Sequence, residues 1–344
     1  MSTEKVQLKE NLYLVESELG WILSGTTASK PVDKLAVNTY FQASCEVGLN
    51  PPDPPLDNGN LKFLWDLESI GITDSPKINR DGEAIKHFNE NTKYENNRYH
   101  VCWPWNQYPP NLPSNFGLAY GRLVNLLKRL DSKSLLTYDQ TIREQLEKGI
   151  IEPVPSNERV DHPVHYIPHH GVTAPGKSIR IVYDASAKTK DNKSLNECLY
   201  CGPMMLEDLT GLIIKFRCHA VGVTADVEKA FLQIGLQARD RDVTRFLWIK
   251  DLVRPATEEN LVHLRFTRVP FGVISSPFLL NATIRHHLSL SENECIRKLA
   301  NDIYVDNVLT GTSDSQHAIQ LYEAPKEAFN QISMNLREWS SNSK

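Results

Sequence analysis

The amino-acid sequence predicts an α+β fold. Apolar residues recur at helical spacing in two segments that follow residue 115. Short runs rich in β-branched and aromatic residues lie further along the chain and predict strands. The two kinds of segment do not alternate in the strand–helix–strand order of a parallel sheet, so mixed helices and antiparallel strands are expected. The length of 344 residues corresponds to roughly two typical domains.

The first third of the sequence carries weak signals for regular structure. Residues 1–27 alternate apolar and polar side chains and predict two short strands without partners nearby in the sequence. A Pro-Pro-Asp-Pro-Pro run at 51–55 predicts a linker or loop. Residues 91–113 combine prolines with aromatic residues and are expected to be extended or irregular.

From residue 115 onward the patterns become stronger. One helix is expected over 115–130, and a second around 135–146 is expected to end at Gly149. Strands or strand pairs are predicted at 164–168, 179–183, 220–225, 246–249 and 261–266, the last two forming a hairpin.

The last third of the chain predicts two further helices around a hairpin. Ser276 and Pro277 form a good N-cap and first-turn pair, opening an apolar helix over 278–288. Short apolar segments on either side of Asp306-Asn307 predict a tight hairpin turn. A final helix over 314–332 is expected to be interrupted and kinked at Pro325.

Composition excludes several classes of protein. Hydrophobic residues make up 40% of the chain and charged residues 23%, enough apolar material for a sizeable core. The net charge of −4 excludes a strongly basic coat protein of nucleic acid, although an enzyme with a local basic groove stays possible. Six scattered cysteines do not form a disulfide framework, and no signal peptide or membrane-spanning run is visible. A reducing, intracellular setting is therefore expected.

Two acidic positions stand out as candidates for chemistry. Asp226 follows an apolar strand, where a carboxylate can hold a hard cation while the adjoining loop admits substrate. Asp306 lies in the predicted hairpin turn, 80 residues further on. Each has an ordinary structural alternative, since Asp226 can cap the next turn and Asp306-Asn307 are good turn formers. Spacing alone does not establish that the two carboxylates meet.

The residues around these positions resemble the two metal-binding motifs of a known enzyme family. Thr-Ala-Asp226-Val-Glu-Lys-Ala-Phe-Leu-Gln-Ile and Tyr304-Val-Asp-Asn307 resemble the palm motifs of reverse transcriptases. The intervening segments narrow the resemblance to the BEL/Pao group of long-terminal-repeat retrotransposons. These segments are Ile167–Val172, Arg180–Ala187, Ser194–Cys198, Val269–Gly272, Ser276–Leu280, Ala282–His287 and Met334–Asn342.

The resemblance implies a domain organisation. Residues 1–27 resemble the C-terminal tail of a retropepsin-like aspartic protease, 28–114 the protease–polymerase connector, and 115–344 a reverse transcriptase domain. A right-hand polymerase fold is implied, with fingers at approximately 141–200 and 234–270, and an antiparallel palm at approximately 201–233 and 271–344. No Asp-Ser-Gly or Asp-Thr-Gly occurs, so protease activity is excluded. The thumb, RNase H and integrase of the polyprotein are expected to be missing from this chain.

The resemblance also implies metal ligands. Asp226 and Asp306 would hold two Mg²⁺ ions that clamp the attacking and departing oxygens of an in-line displacement. The carbonyl of Val227 would be a further ligand. Asn307 occupies the position of the second aspartate of the family's Tyr-x-Asp-Asp hairpin. An amide can coordinate through oxygen but adds no charge, and a loss of even ~3 kcal/mol of transition-state stabilisation slows a reaction about a hundredfold. A decayed copy with impaired catalysis is expected.

The remaining implied roles concern the incoming nucleotide. Arg180 would grip the triphosphate with its guanidinium, and Lys177 would assist as a point charge. Phe231 would block a ribose 2′-hydroxyl. Phe271 and Gly272 would lie under the nascent base pair, although Phe271 replaces the glutamine of many retroviral enzymes. The competing interpretations are a surface ion pair for Arg180 and a core position for Phe231.

Three functions follow as hypotheses. The first is an RNA-directed DNA polymerase that uses an RNA or DNA template-primer duplex and deoxynucleoside triphosphates, without a membrane partner. It would act in the cytoplasm, within a virus-like particle, or in the nucleus. The second is a catalytically dead nucleic-acid-binding remnant of the same fold, and the third is an unrelated interaction domain. Structural zinc is not expected at the histidines of 162–170, because Pro163 and Pro168 disfavour the required helix. It is not expected at Cys198 and Cys201 either, because this pair lacks the second pair of ligands that a zinc site needs.

Overall fold

The computed structural model describes residues 5–9, 12–17, 20–25, 80–155, 162–172 and 179–343. The chain divides into two compact units, Met1–Asp74 and Ser75–Lys344. The proline run at 51–55 lies outside the described residues.

The first unit contains three strands rather than two. They are β1 (Lys5–Lys9), β2 (Leu12–Ser17) and β3 (Gly20–Gly25), and they pair antiparallel in that order. The expectation of two strands without nearby partners was therefore wrong. Only two residues separate each strand from the next, which lets neighbours in sequence pair directly as hairpins.

The first described elements of the second unit are a helix and a hairpin that the sequence did not predict. Helix α1 (Arg80–Asn91) precedes β4 (Lys93–Glu95) and β5 (Arg98–Val101). Asn96 and Asn97 both adopt positive φ in the turn, which asparagine tolerates better than most residues. Trp103 is fully buried, and its amide donates to Asp240 Oδ2 at 2.9 Å. Residues 80–103 thus add to the same core as the later segments.

The two helices predicted after residue 115 are confirmed. Helix α2 spans Phe116–Arg129 and α3 spans Ser132–Glu147. The Asp131 carboxylate accepts from the Ser134 amide at 2.7 Å and caps α3. Gly149 follows α3 with φ +60°, a conformation in which glycine carries no steric penalty.

The next strands form two small antiparallel sheets. One contains β6 (Ile151–Pro153), β11 (Arg245–Ile249) and β12 (Leu261–Phe266), in the order β11-β12-β6, which confirms the predicted hairpin. The other pairs β7 (His169–Val172) with β8 (Arg180–Tyr183). The strand expected over 164–168 was wrong: this segment forms a single bridge at Tyr166, and its last residue, Pro168, lacks the N–H that a ladder requires.

A four-stranded antiparallel sheet forms the second half of the unit. Its members are β9 (Val221–Val227), β13 (Ile303–Tyr304), β14 (Asn307–Thr312) and β15 (Leu336–Ser341), in the order β13-β14-β9-β15. The short strand β10 (Gly235–Leu236) lies elsewhere and pairs with β5 in parallel.

Four helices accompany this sheet. They are α4 (Leu209–Arg217), α5 (Ser276–Ser289), α6 (Glu294–Leu299) and α7 (Ser315–Asn330), and α4 and α7 both contact β14. Ser275, not Ser276, precedes α5, and the Ser276 hydroxyl donates to the Pro270 carbonyl instead of capping the helix. Helix α7 continues through Pro325, which is buried together with Ala328 and Phe329, so packing outweighs the missing hydrogen bond.

The mixture of helices with antiparallel sheets establishes the α+β class. Within the described segments, no helix has both the length and the apolar character needed to cross a membrane.

Candidate active site

The hairpin between β13 and β14 presents Asp306 at its tip. The two turn residues are Val305 and Asp306, so the turn lies one residue earlier than predicted and Asn307 begins β14. Val305 adopts φ +58°, which is unusual for a β-branched residue. Such strained conformations cost about 1–3 kcal/mol each and persist only where the surroundings impose them. The hairpin is therefore held in one geometry.

Strand β9 places Asp226 beside this hairpin. Asp226 is the cross-strand partner of Asn307, and the Val227 amide donates to the Asp306 carbonyl at 2.8 Å. The flanking residues Ala225 and Val227 are buried, whereas the Asp226 side chain is 25% exposed. Two motifs 80 residues apart in sequence therefore meet at one end of the four-stranded sheet.

The charges at this end of the sheet favour a cation. The pKa of Asp306 is raised above its usual range, first by burial and second by the negative charge of Asp226. Two carboxylates that repel each other in a partly exposed position are a suitable donor set for a hard divalent ion. The side chains present thus fit such an ion, with two carboxylates rather than three.

Asn307 interacts with Asp306 through its amide nitrogen. Its Nδ2 donates to Asp306 Oδ1 at 3.0 Å. This hydrogen bond partly neutralises the charge of the Asp306 carboxylate. It is the N–H of the amide that faces this carboxylate, and not the oxygen that could coordinate a cation. A cation bound at Asp306 competes with this hydrogen bond, so the amide opposes cation binding as well as adding no charge.

Arg337 and Glu228 complete the charged set, and neither was predicted as a site residue from the sequence. Arg337 is the partner of Asp226 on β15, with Nε 3.4 Å from Asp226 Oδ2 and Nη1 3.8 Å from Glu228 Oε1. Glu228 also accepts from Asn335 Nδ2 at 3.1 Å. The hydrogen bond from Asn335, followed by the charge of Arg337, lowers the pKa of Glu228. Only the register of β15 reveals these contacts.

A cleft of about 600 Å³ opens beside Asp306. Helix α3, strand β8, the 3₁₀ turn Ala230–Gln233 and the loop before α5 all contribute to its walls. Its lining includes Asp306, Arg180, Phe231, Phe271, Lys148 and Lys229. Four of the residues singled out from the sequence thus share one cavity, whereas Lys177 lies outside the described residues.

Three of these side chains are in mutual contact. The Phe231 and Phe271 rings meet edge to face, with centroids 5.4 Å apart. The Arg180 guanidinium lies 5.3 Å from the centroid of the Phe271 ring, within cation–π distance. Arg180 forms no ion pair with any carboxylate of the described segments, and Asp184 pairs with Arg122 at 2.6 Å instead. Phe231 is half-buried at the edge of the core, so it belongs both to the core and to the cleft wall.

Gly272 allows a close approach of two backbone segments. It has φ +102°, and a Cβ at this position would lie 2.5 Å from the Tyr183 carbonyl oxygen of β8. Asn196 holds the same loop, since its Nδ2 donates to the Gly272 carbonyl at 3.3 Å and its Oδ1 accepts from the Ile274 amide at 2.9 Å. The loop at Gly272 therefore packs closely against β8, with Phe271 beside it in the cleft wall.

The histidines considered for zinc have separate partners. His162 Nε2 lies 2.6 Å from Asp242, His165 Nδ1 lies 2.6 Å from the Pro113 carbonyl, and His169 Nε2 donates to the Leu247 carbonyl at 2.8 Å. Burial lowers the pKa of His169 to about 4, so its ring is neutral. Within the part of the chain that the structure describes, no three His, Cys, Asp or Glu side chains are grouped to hold a metal ion.

Comparison with known proteins identifies one related family. Residues 180–338 match the family described as reverse transcriptase (RNA-dependent DNA polymerase). The match supports a reverse transcriptase over this part of the chain and, in general terms, RNA-directed DNA polymerase activity. It implies a polymerase palm and fingers, a nucleic-acid template-primer and nucleotide substrates, and such domains generally use divalent metal ions. No curated protein sequence matches the chain.

Proposed function

We propose that residues 115–344 are the reverse transcriptase domain of a BEL/Pao-type retrotransposon polyprotein, impaired at the second aspartate of its metal site. One observation carries this proposal: Asp306 lies beside Asp226 and also lines the cleft that contains Arg180 and Phe231. A carboxylate pair next to a cavity with a guanidinium and an aromatic wall suits phosphoryl transfer from a nucleoside triphosphate.

Each side chain of the site has a physical task in this proposal. Asp226 and Asp306, with the Val227 carbonyl, would hold two Mg²⁺ ions, which supply an activated primer 3′-hydroxyl and charge neutralisation of the departing pyrophosphate. Arg180 is free to bind phosphate oxygens because it makes no competing ion pair within the described segments. Its cation–π contact with Phe271 joins two side chains that both line the cleft.

The aromatic pair would select and position the nucleotide. Phe231 presents a flat ring at the cleft wall and excludes a ribose 2′-hydroxyl by steric contact. Phe271, held by the loop at Gly272, offers an apolar surface to the base or sugar instead of a polar contact. Lys177 is proposed as a further phosphate contact. Discrimination against ribonucleotides therefore depends mainly on shape.

Asn307 makes the proposed enzyme slow. It contributes no negative charge to a site that holds two dications, and its amide occupies an oxygen of Asp306. We expect nucleotide addition to be impaired for both reasons.

The domain organisation is part of the same proposal. Residues 1–27 are assigned to the tail of an aspartic protease and 28–114 to a connector. The fingers are assigned to approximately 141–200 and 234–270, and the palm to approximately 201–233 and 271–344. The support is the order of the sequence motifs along the chain.

Primer extension on an RNA template tests the polymerase function. The chain is incubated with a DNA primer on an RNA template, one complementary deoxynucleoside triphosphate and Mg²⁺. Slow addition of one nucleotide, lost in the Asp226→Asn variant, supports the proposal. Addition that persists in that variant contradicts it.

A second candidate is binding of a template-primer without catalysis. The amide at position 307 and the guanidinium at Asp226 favour it, because both lower the affinity of the site for cations. In this case the chain binds a template-primer in a salt-dependent manner but extends nothing, even after Asn307→Asp.

A further inference from the structure

Arg337 occupies an unusual position for a cation. The proposed metal ligand Asp226 has two cross-strand neighbours, Asn307 on β14 and Arg337 on β15. Cross-strand neighbours in a sheet present their side chains on the same face. The two residues paired with Asp226 across the sheet are therefore an amide and a guanidinium, and neither is a carboxylate.

The guanidinium is shared among three carboxylates. Its nitrogens lie 3.4 Å from Asp226, 3.8 Å from Glu228 and 3.7 Å from Glu338. Strand β15 carries a register shift after Arg337, and Glu338 has φ +51° there. This irregularity places consecutive residues Arg337 and Glu338 on the same cluster of charges. Arg337 can therefore move away from Asp226 without losing every partner.

We propose that Arg337 is a positioning residue that competes with divalent cations for Asp226. Its guanidinium holds the Asp226 carboxylate in the cation-free protein and transfers to Glu228 when a cation binds. The inference rests on the proposed function, because it takes Asp226 to be a cation ligand. It deepens that function by naming the residue that sets cation affinity.

The charges explain the direction of the effect. A guanidinium next to Asp226 repels an approaching dication and must give up its contact before the carboxylate is available. Ion pairs as exposed as this one, with Arg337 43% exposed, are weak and exchange readily. The competition is therefore reversible and of moderate size. Glu228, two residues after Asp226, favours release because it offers the guanidinium an alternative partner.

Titration with Mn²⁺, followed by the loss of its free electron paramagnetic resonance signal, tests the proposal. The Arg337→Gln variant should bind Mn²⁺ roughly three- to tenfold more tightly than the unmodified chain. Arg337→Lys keeps the positive charge, so its Mn²⁺ affinity should be closer to that of the unmodified chain. Adding Asp226→Asn to Arg337→Gln should abolish the gain, which places the gained affinity at Asp226.

Glu228→Gln provides a second test through coupling. Glu228→Gln should weaken Mn²⁺ binding more when Arg337 is present than when it is replaced by glutamine. The reason is that only a chain with Arg337 has a guanidinium that needs a new partner when the cation binds. Lys229→Gln is the matched control: it removes a neighbouring positive charge that does not contact Asp226, and should change affinity less than Arg337→Gln. Thermal denaturation of each variant verifies that it is folded.

Three results would overturn the proposal. They are equal or weaker Mn²⁺ binding by Arg337→Gln, an equal gain in Lys229→Gln, and additive effects of the changes at 337 and 228. Primer extension separates this failure from failure of the proposed function. Tighter Mn²⁺ binding by Arg337→Gln without any primer extension supports the role of Arg337 and rejects the polymerase function. Primer extension without tighter Mn²⁺ binding by Arg337→Gln rejects only the role of Arg337.

Discussion

Replacement of Asn307 by aspartate should destabilise the cation-free protein while making the site more active. The change removes the hydrogen bond from Nδ2 to Asp306 Oδ1, which measures 3.0 Å. A hydrogen bond to a charged group contributes about 1.5–3 kcal/mol, and the lower end applies because Asn307 is exposed. Repulsion between two carboxylates about 4 Å apart in water adds ~1 kcal/mol. We therefore expect a loss of about 2.5 kcal/mol in the free energy of unfolding at neutral pH.

The pH dependence of this loss has a definite sign. The folded-state pKa of Asp306 is already raised, and a second carboxylate raises it further. The folded protein then binds protons more strongly than the unfolded chain, so stability falls as pH rises from the unfolded to the folded pKa of these carboxyls. Well below the unfolded-state aspartate pKa of about 3.9 both carboxyls are protonated, and most of the difference between Asn307→Asp and the unmodified chain should disappear.

Divalent cations should reverse the loss of stability caused by Asn307→Asp. Asn307→Asp supplies the missing charge, so Mg²⁺ should stabilise the variant more than the unmodified chain in urea denaturation. Primer extension should rise at least about tenfold, which corresponds to about 1.4 kcal/mol.

Asn335→Asp is the matched control for this substitution. Asn335 also donates to an exposed carboxylate, Glu228, at 3.1 Å, but it does not contact Asp306. It should therefore lower stability in the same direction without raising extension. Unchanged stability of Asn307→Asp at both pH values, or an equal gain in extension from Asn335→Asp, would refute this reasoning.

Three further predictions concern the cleft and its walls. Arg180→Ala should raise the KM for deoxynucleoside triphosphate about tenfold in steady-state extension, whereas template-primer affinity in a filter-binding assay should not change; equal losses in both would contradict a triphosphate contact. Phe231→Ala should raise the ratio of ribonucleotide to deoxynucleotide incorporation at least about tenfold in single-nucleotide extension, with an unchanged ratio counting against the steric role. Gly272→Ala should lower the free energy of unfolding by about 2 kcal/mol or more in urea denaturation, because its Cβ would lie 2.5 Å from the Tyr183 carbonyl at φ +102°; Gly121→Ala, where a Cβ meets nothing within 4 Å, is the control.

Local patterns predicted the elements that depend on local forces. The helices after residue 115 and the hairpin of β11 with β12 follow from apolar periodicity and from turn residues, and both are present. The strand predicted at 164–168 failed because hydrogen-bonding capacity, rather than apolar content, decides where a ladder forms, and Pro168 lacks the donor. The prediction of two unpaired strands in residues 1–27 failed for a different reason, because pairing between successive short strands leaves little trace in the amino-acid composition.

The site shows the same division between local and non-local information. The motifs around Asp226 and Asp306 are readable in the sequence, but their meeting depends on the antiparallel register of β9 with β14. Arg337 was missed because it reaches Asp226 only through the register of β15, which contains an irregularity that no sequence period predicts. The sequence shows an amide at position 307 next to the carboxylate of Asp306, whereas the direction of its hydrogen bond required the structure.

Addition of one nucleotide to a primer on an RNA template tests the central proposal most directly, that Asp226 and Asp306 form one nucleotidyl-transfer site. The full chain, Asn307→Asp and Asn307→Asp combined with Asp226→Asn are compared in Mg²⁺ at equal concentrations of bound template-primer. We predict slow addition by the full chain, at least about tenfold faster addition by Asn307→Asp, and none by the combined variant. Addition that survives Asp226→Asn, or its absence from Asn307→Asp despite full template-primer binding, would contradict the proposal.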